Sequence, residues 1–184
     1  DDRGKKCWVT NIREILCNTG FQFVWMNQGV ENNSIFLNAF KQRLIDMFIQ
    51  EWSATLRESD RYKLYRTFKT DFGKENYLSN VDIVSFRIAL SHIRLGVLPI
   101  NCNTHRYSES PITKLCPYCG SLQESEYHFI FVCPLYKDIR EKFLKDFLNL
   151  PLVRLIEGKN TNLNRQVGKY VFLALKRRQH SILS

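Results

Sequence analysis

Cys116-Pro-Tyr-Cys119-Gly120, followed by Tyr127-His-Phe-Ile-Phe-Val-Cys133-Pro134, is the stretch on which the fold of this chain turns. It holds three of the six cysteines and one of the four histidines, in a Cys-x2-Cys-x8-His-x4-Cys array. Two thiolates two residues apart bite one ion from a tight turn, which Pro117, Tyr118 and Gly120 are suited to build. The alternation over Tyr127 to Phe131 predicts a strand that returns the imidazole over the first two thiolates, giving a short β-hairpin. Cys133 then precedes Pro134, a residue tolerated in a helix's first turn, and the positive end of that helix favours a thiolate. Cys116, Cys119, His128 and Cys133 are therefore the expected ligands of one zinc ion, bound through sulfur at about 2.3 Å. Four protein ligands leave no open position, so the site reads as structural and not catalytic. Cys102-Asn-Thr-His105 is a second donor pair upstream, in an irregular context.

Outward from the cluster, helical periodicity dominates. Trp8, Ile12, Ile15 and Leu16 share a face, and Gly20 is a natural stop. Phe21 to Met26 fits strand or helix. A long helix is predicted over 34–56 with Asn33 as its N-cap, and its stripe of Phe36, Phe40, Leu44, Phe48 and Trp52 is expected to be core. Further helices are predicted over 60–71, with Leu64, Phe68 and Phe72 inward, and over 84–95. Residues 97–115 look irregular. After Pro134, the face of Tyr136, Ile139, Phe143 and Phe147 predicts another helix. Thr161 or Asn162 would cap a final one carrying Val167, Tyr170, Val171, Leu173 and Leu175. The expected architecture is mostly α: a helical region over 1–96, an irregular linker and zinc knuckle over 97–133, and C-terminal helices over 134–184.

The chain has 184 residues and 44% hydrophobic content, enough for a real core. Its 27 Lys plus Arg against 18 Asp plus Glu give a net charge of +9, which favours anionic partners, nucleic acid first. No apolar run approaches the ~20 residues that span a bilayer, so no membrane partner is expected. Metal spacing in place of paired cysteines argues for a reducing, intracellular compartment, with Cys7 and Cys17 as ordinary buried thiols. The opening Asp1-Asp-Arg-Gly4, without an initiator Met, is what a fragment or processed piece would show. No Ser/His/Asp or paired-carboxylate constellation stands out, and no enzyme activity is expected of these residues.

Arg87, Arg94, Arg106 and Lys114 flank the zinc segment with few acids nearby. Arg87 and Arg94, seven apart, share a helical face that His92 joins. With Arg140, and with Lys176, Arg177 and Arg178 near the C-terminus, they form the expected nucleic-acid-binding set. The last three also complement the negative end of a helix dipole, a purely structural explanation. Tyr62, Tyr65 and Phe68, interleaved with cations, offer stacking surfaces if exposed.

The run Phe86-Arg-Ile-Ala-Leu-Ser-His-Ile-Arg-Leu95, then His105-Arg106, Cys116-Pro-Tyr-Cys119 and Glu126-Tyr-His-Phe-Ile-Phe-Val-Cys-Pro-Leu-Tyr-Lys-Asp-Ile-Arg140, resembles the C-terminal region of LINE-type (non-LTR) retrotransposon polyproteins. Upstream Phe40-Lys-Gln-Arg-Leu44, Gln50-Glu-Trp52 and Arg61-Tyr-Lys-Leu-Tyr-Arg66, and downstream Val167-Gly-Lys-Tyr-Val-Phe-Leu-Ala-Leu-Lys-Arg-Arg178, look like the same lineage. The resemblance implies a zinc module that follows a reverse transcriptase and helps hold element RNA or target DNA, with the rest of the parent polymerase as a partner. It implies nuclear as well as cytoplasmic residence. The Tyr/Phe-x-Asp-Asp polymerase motif is absent: Asp1-Asp2 lacks its aromatic context. The alternative is a zinc-stabilised helical scaffold for protein–protein docking without direct nucleic-acid contact, marked by an apolar surface patch such as Phe21–Met26.

Overall fold

The computed structural model describes residues 7–120 and 122–183, so Asp1-Asp2 lies outside the described residues. The chain is mostly helical and divides into two compact units, 1–55 and 56–184. The linker at 97–115, expected to mark an internal boundary, lies within the second unit. It contains a short helix and a 3-10 turn, and its backbone is tied to the metal segment.

The first unit contains α1 (Trp8–Asn18), α2 (Gln22–Met26) and most of α3 (Asn33–Glu58). The Asn32 side chain caps α3 by accepting from Ser34 N and Ile35 N at 3.0 and 3.1 Å, so the cap falls one residue before the expected Asn33. Phe21, Phe36 and Phe40 cluster with ring centroids 5.5–5.6 Å apart. The rest of the predicted stripe does not become core. Leu44 and Phe48 are exposed, Phe48 to 53%, and Trp52 is half-buried. Cys7 and Cys17, expected to be buried, are exposed. Only Leu16 and Thr19 are buried among the described residues of this unit.

In the second unit, the helix predicted over 60–71 shrinks to two 3-10 turns, Asp60–Tyr62 and Tyr65–Thr67. Then come α4 (Tyr77–Asn80), α5 (Val84–Arg94), α6 (Asn101–Thr104), α7 (Lys137–Phe143), α8 (Leu152–Ile156) and α9 (Thr161–Leu183). The core is the seam between α5 and α9, where Leu90, Ile93, Val167, Tyr170, Val171 and Ala174 are buried. Gly168 permits that approach: a Cβ there would sit 2.7 Å from the Phe86 carbonyl oxygen. Asn160 Oδ1 caps α9 through Leu163 N at 2.9 Å. No strand forms among the described residues; a single antiparallel bridge pairs Leu115 with Gln123. No helix among the described residues is long and apolar enough to cross a membrane.

Candidate metal centre

The first two cysteines sit on a turn of the expected kind. Cys116 N donates to Leu122 O at 2.8 Å and Gly120 N to Cys116 O at 2.9 Å. Gly120 has φ +65°, a left-handed conformation that glycine adopts without steric cost. The amides of Cys119 and Tyr118 point N–H groups at the Cys116 sulfur, and that of Leu135 does the same for Cys133. These donors compensate charge on a thiolate.

The other half of the site corrects the sequence reading. Where a strand is expected over Tyr127–Phe131, His128–Val132 forms a π turn closed by Cys133 N to His128 O at 2.9 Å. The alternation signal there is weak, because Phe129 through Val132 is continuously apolar and such a run fits either period. An i→i+5 turn has the geometric virtue the site needs: it stacks residue i over residue i+5. His128 and Cys133, four residues apart in the gap, therefore face the same side. A wide turn also displaces carbonyls from the helical ladder, and these find partners from other helices. Tyr170 Oη on α9 donates to Phe129 O at 2.6 Å. Arg140 on α7 donates Nε to Ile130 O at 2.5 Å and Nη2 to Cys133 O at 2.8 Å.

The donor atoms of Cys116, His128 and Cys133 lie within 4.8 Å of one another, and all three residues are buried. Cys116 and Cys133 Sγ are 3.8 Å apart, and Cys119 Sγ is 3.5 Å from His128 Nε2. A tetrahedral ion with metal–sulfur bonds of about 2.3 Å and metal–nitrogen bonds of about 2.0–2.1 Å has edges of about 3.8 and 3.5 Å. Cys116, His128 and Cys133 thus fit a metal ion, while Cys119 meets His128 but lies outside that mutually close group. Burial pushes the Cys116 and Cys133 thiols up, Cys133 to about 12, and pushes the His128 imidazolium down. Buried thiols without a cation stay protonated; a bound divalent ion reverses that and displaces the protons. Cys102 takes no part: its sulfur faces Lys114 O at 3.9 Å, and His105 is exposed.

The basic residues around the site divide sharply. Arg94 is 1% exposed, paired with Glu75 at 2.5 Å, bonded to Ile156 O and set 4.7 Å from the ring centroids of both Phe68 and Tyr77. Arg140 is buried under the π turn. Neither guanidinium is presented to a phosphate, so these two expected contacts serve the interior instead. Arg178 reaches back to Glu124, 1% exposed, with bonds of 2.7 and 2.8 Å, while Glu124 Oε2 also accepts from Asn101 N at 2.7 Å. This joins α9 and α6 to the loop between the cysteine turn and the π turn. The pairing of Glu124 with Arg178 across 54 residues has no local signal in the sequence.

Arg106 spans Asp60 O, Gly96 O and Asn103 Oδ1 at 2.7–2.9 Å, and Arg87 donates to Leu78 O at 3.1 Å and Val81 O at 3.3 Å. Arg177 holds both Asp138 oxygens. Lys114 is half-buried, whereas His92 and Lys176 are exposed. Tyr65 and Phe68 are half-buried and pack edge-on at 5.5 Å, turned to one another and to Arg94.

In comparisons with protein-family models, curated proteins and solved structures, nothing matches this chain.

Proposed function

We propose that this chain is a zinc-stabilised nucleic-acid-binding module, the C-terminal part of a non-LTR retrotransposon reverse transcriptase, which helps hold element RNA or target DNA. The observation that carries the reading is the Cys/His cluster, bound through Arg140 and Arg178 to α7 and α9 in a chain of net charge +9. The ion is zinc, which favours a closed set of three sulfurs and one nitrogen. Cys116, Cys119, His128 and Cys133 hold it as a zinc knuckle, and bound zinc supplies fold stability and no chemistry. Polymerase catalysis belongs to the parent protein, and the module works where that protein meets nucleic acid, in nucleus and cytoplasm.

Metal analysis with a salt-titrated binding assay tests the reading. The expected result is about one zinc per chain and an affinity for RNA or DNA that falls steeply with salt, because bound cations displace condensed counterions. A protein without metal, or one that binds neither RNA nor DNA near about 50 mM salt, overturns it.

A second reading concerns the first unit. Trp8, Ile12 and Ile15 on α1, Phe23 and Met26 on α2, and Leu37, Leu44 and Ile45 on α3 are all exposed large apolar residues, Trp8 to 71% and Met26 to 77%. Apolar surface on this scale marks protein contact. In this reading unit 1 docks on protein, the remainder of the parent polymerase being the partner, while unit 2 carries the nucleic-acid contact.

A further inference from the structure

Between α7 and α9 runs an open groove of about 620 Å³ whose lining the expected interface only partly anticipates. Its floor is apolar: Ile139, Phe143 and Leu173. Lys142, Lys176 and His180 stand around that floor, and Lys169 Nζ lies 4.8 Å from the Phe143 ring centroid. On α9, Lys169, Leu173, Lys176 and His180 are spaced four, three and four apart, which places them on one helical face. Lys169 and Lys176 are therefore about 10 Å apart along the axis, given a rise of 1.5 Å per residue. The one carboxylate among the described lining residues, Asp138, is already held by Arg177. The groove's field is thus set by its lysines.

Resting on the nucleic-acid reading above, we propose that this groove seats a single strand of nucleic acid, with Lys142, Lys169 and Lys176 on its phosphates and the Phe143–Leu173 floor under its unpaired bases. Cations along a groove track a phosphodiester backbone, and an apolar, aromatic floor accepts base faces that a duplex keeps stacked inside. The groove is also concave and of small-ligand size, which fits one strand and not the convex side of a double helix. Lys142 and Lys169 rest near Phe143, at 5.6 and 4.8 Å, and Lys176 lies 4.7 Å from Phe172. The Phe143 contacts keep the Lys142 and Lys169 ammonium groups beside the groove, and all three contacts are weak enough to yield to a phosphate.

The test compares the intact zinc-loaded protein with a Lys142→Gln/Lys176→Gln variant and a control Lys63→Gln, each checked by thermal melting. Fluorescence anisotropy is read against labelled oligo(U), oligo(dT) and a duplex of the same length, over a salt series. Both single strands are expected to bind more tightly than the duplex. The double variant is expected to lose about tenfold on both and to show a shallower salt dependence, by about 1.4 in log–log slope at ~0.7 per single-strand phosphate. Lys63→Gln should bind as wild type.

Unchanged single-strand binding by the double variant would overturn the groove while leaving the nucleic-acid reading standing. So would a preference for duplex. No binding to any of the three would bring down both. If the double variant keeps RNA and DNA but loses a polyglutamate peptide that wild type binds, the groove is an acidic-protein site and the strand assignment fails.

Discussion

The two units obey the same helical periodicity and come to opposite ends. In residues 7–55 the apolar stripes are long and regular, yet two side chains are buried; in 56–183 shorter and less regular stripes close a continuous core from Tyr77 to Ala174. Periodicity states which side of a helix is apolar; it does not state that anything in the same chain will cover it. Unit 2 covers its faces because α5 and α9 meet along a seam relieved by Gly168, and because the metal segment is held under Tyr170 and Arg140. Among its described residues, unit 1 has an aromatic cluster around Phe21 but neither of these devices.

The largest break between the units should come from metal removal. A structural zinc site contributes apparent binding free energy of about 10 kcal/mol or more. Chelation, or Cys116→Ser, is expected to abolish hydrogen-exchange protection around 113–136 and weaken it along α9, while amides of α1 and the first half of α3 exchange as before. If protection in α1–α3 collapses too, the two units are one energetic body and the contrast is lost.

A middle-sized effect should separate the seam from the exposed stripe. Gly→Ala inside a helix ordinarily stabilises by about 1 kcal/mol. At Gly168 the new Cβ would press on the Phe86 backbone, so a net loss of about 1–3 kcal/mol is expected from overpacking. Ile45→Ala in unit 1 should stay within about 0.5 kcal/mol, as surface substitutions do. Urea denaturation decides between them; a stabilised Gly168→Ala would mean the helices do not pack this closely.

The smallest effect is electrostatic. The hydrogen bond and charge of Arg177 hold the Asp138 carboxyl below its ordinary 3.8. A depressed carboxylate contributes stability that is complete above its unfolded value and fades as pH falls through the folded one. Asp138→Asn should therefore destabilise slightly at pH 6, by well under about 1 kcal/mol for so exposed a pair, read as a small drop in melting temperature that vanishes in strong acid. An equal deficit at every pH would assign the loss to packing.

What could be read in the sequence was local. Cys-Pro-Tyr-Cys-Gly closes within one turn, and the α3, α5 and α9 stripes recur within a few residues, so each announces itself. The strand expected at Tyr127–Phe131 failed because the apolar run Phe129–Val132 that it shares carries no period, and what decides it is supplied from far away by Tyr170 and Arg140. The same distance hid the fates of Arg94 and Arg178, whose partners lie 19 and 54 residues off. A cation's charge is legible in a sequence; its burial is a property of the packed chain.

The π turn has a consequence for how such sites are spaced. A gap of four residues between His128 and Cys133 is a statement about pitch: it suits a coil that returns after five residues, where a gap of three would suit an ordinary one. Deleting one of Phe129 to Val132 should thus tighten the winding without parting the imidazole from the thiol, whereas an added residue would turn them away from each other. The count between the imidazole and the thiol here measures the width of the spiral that carries them.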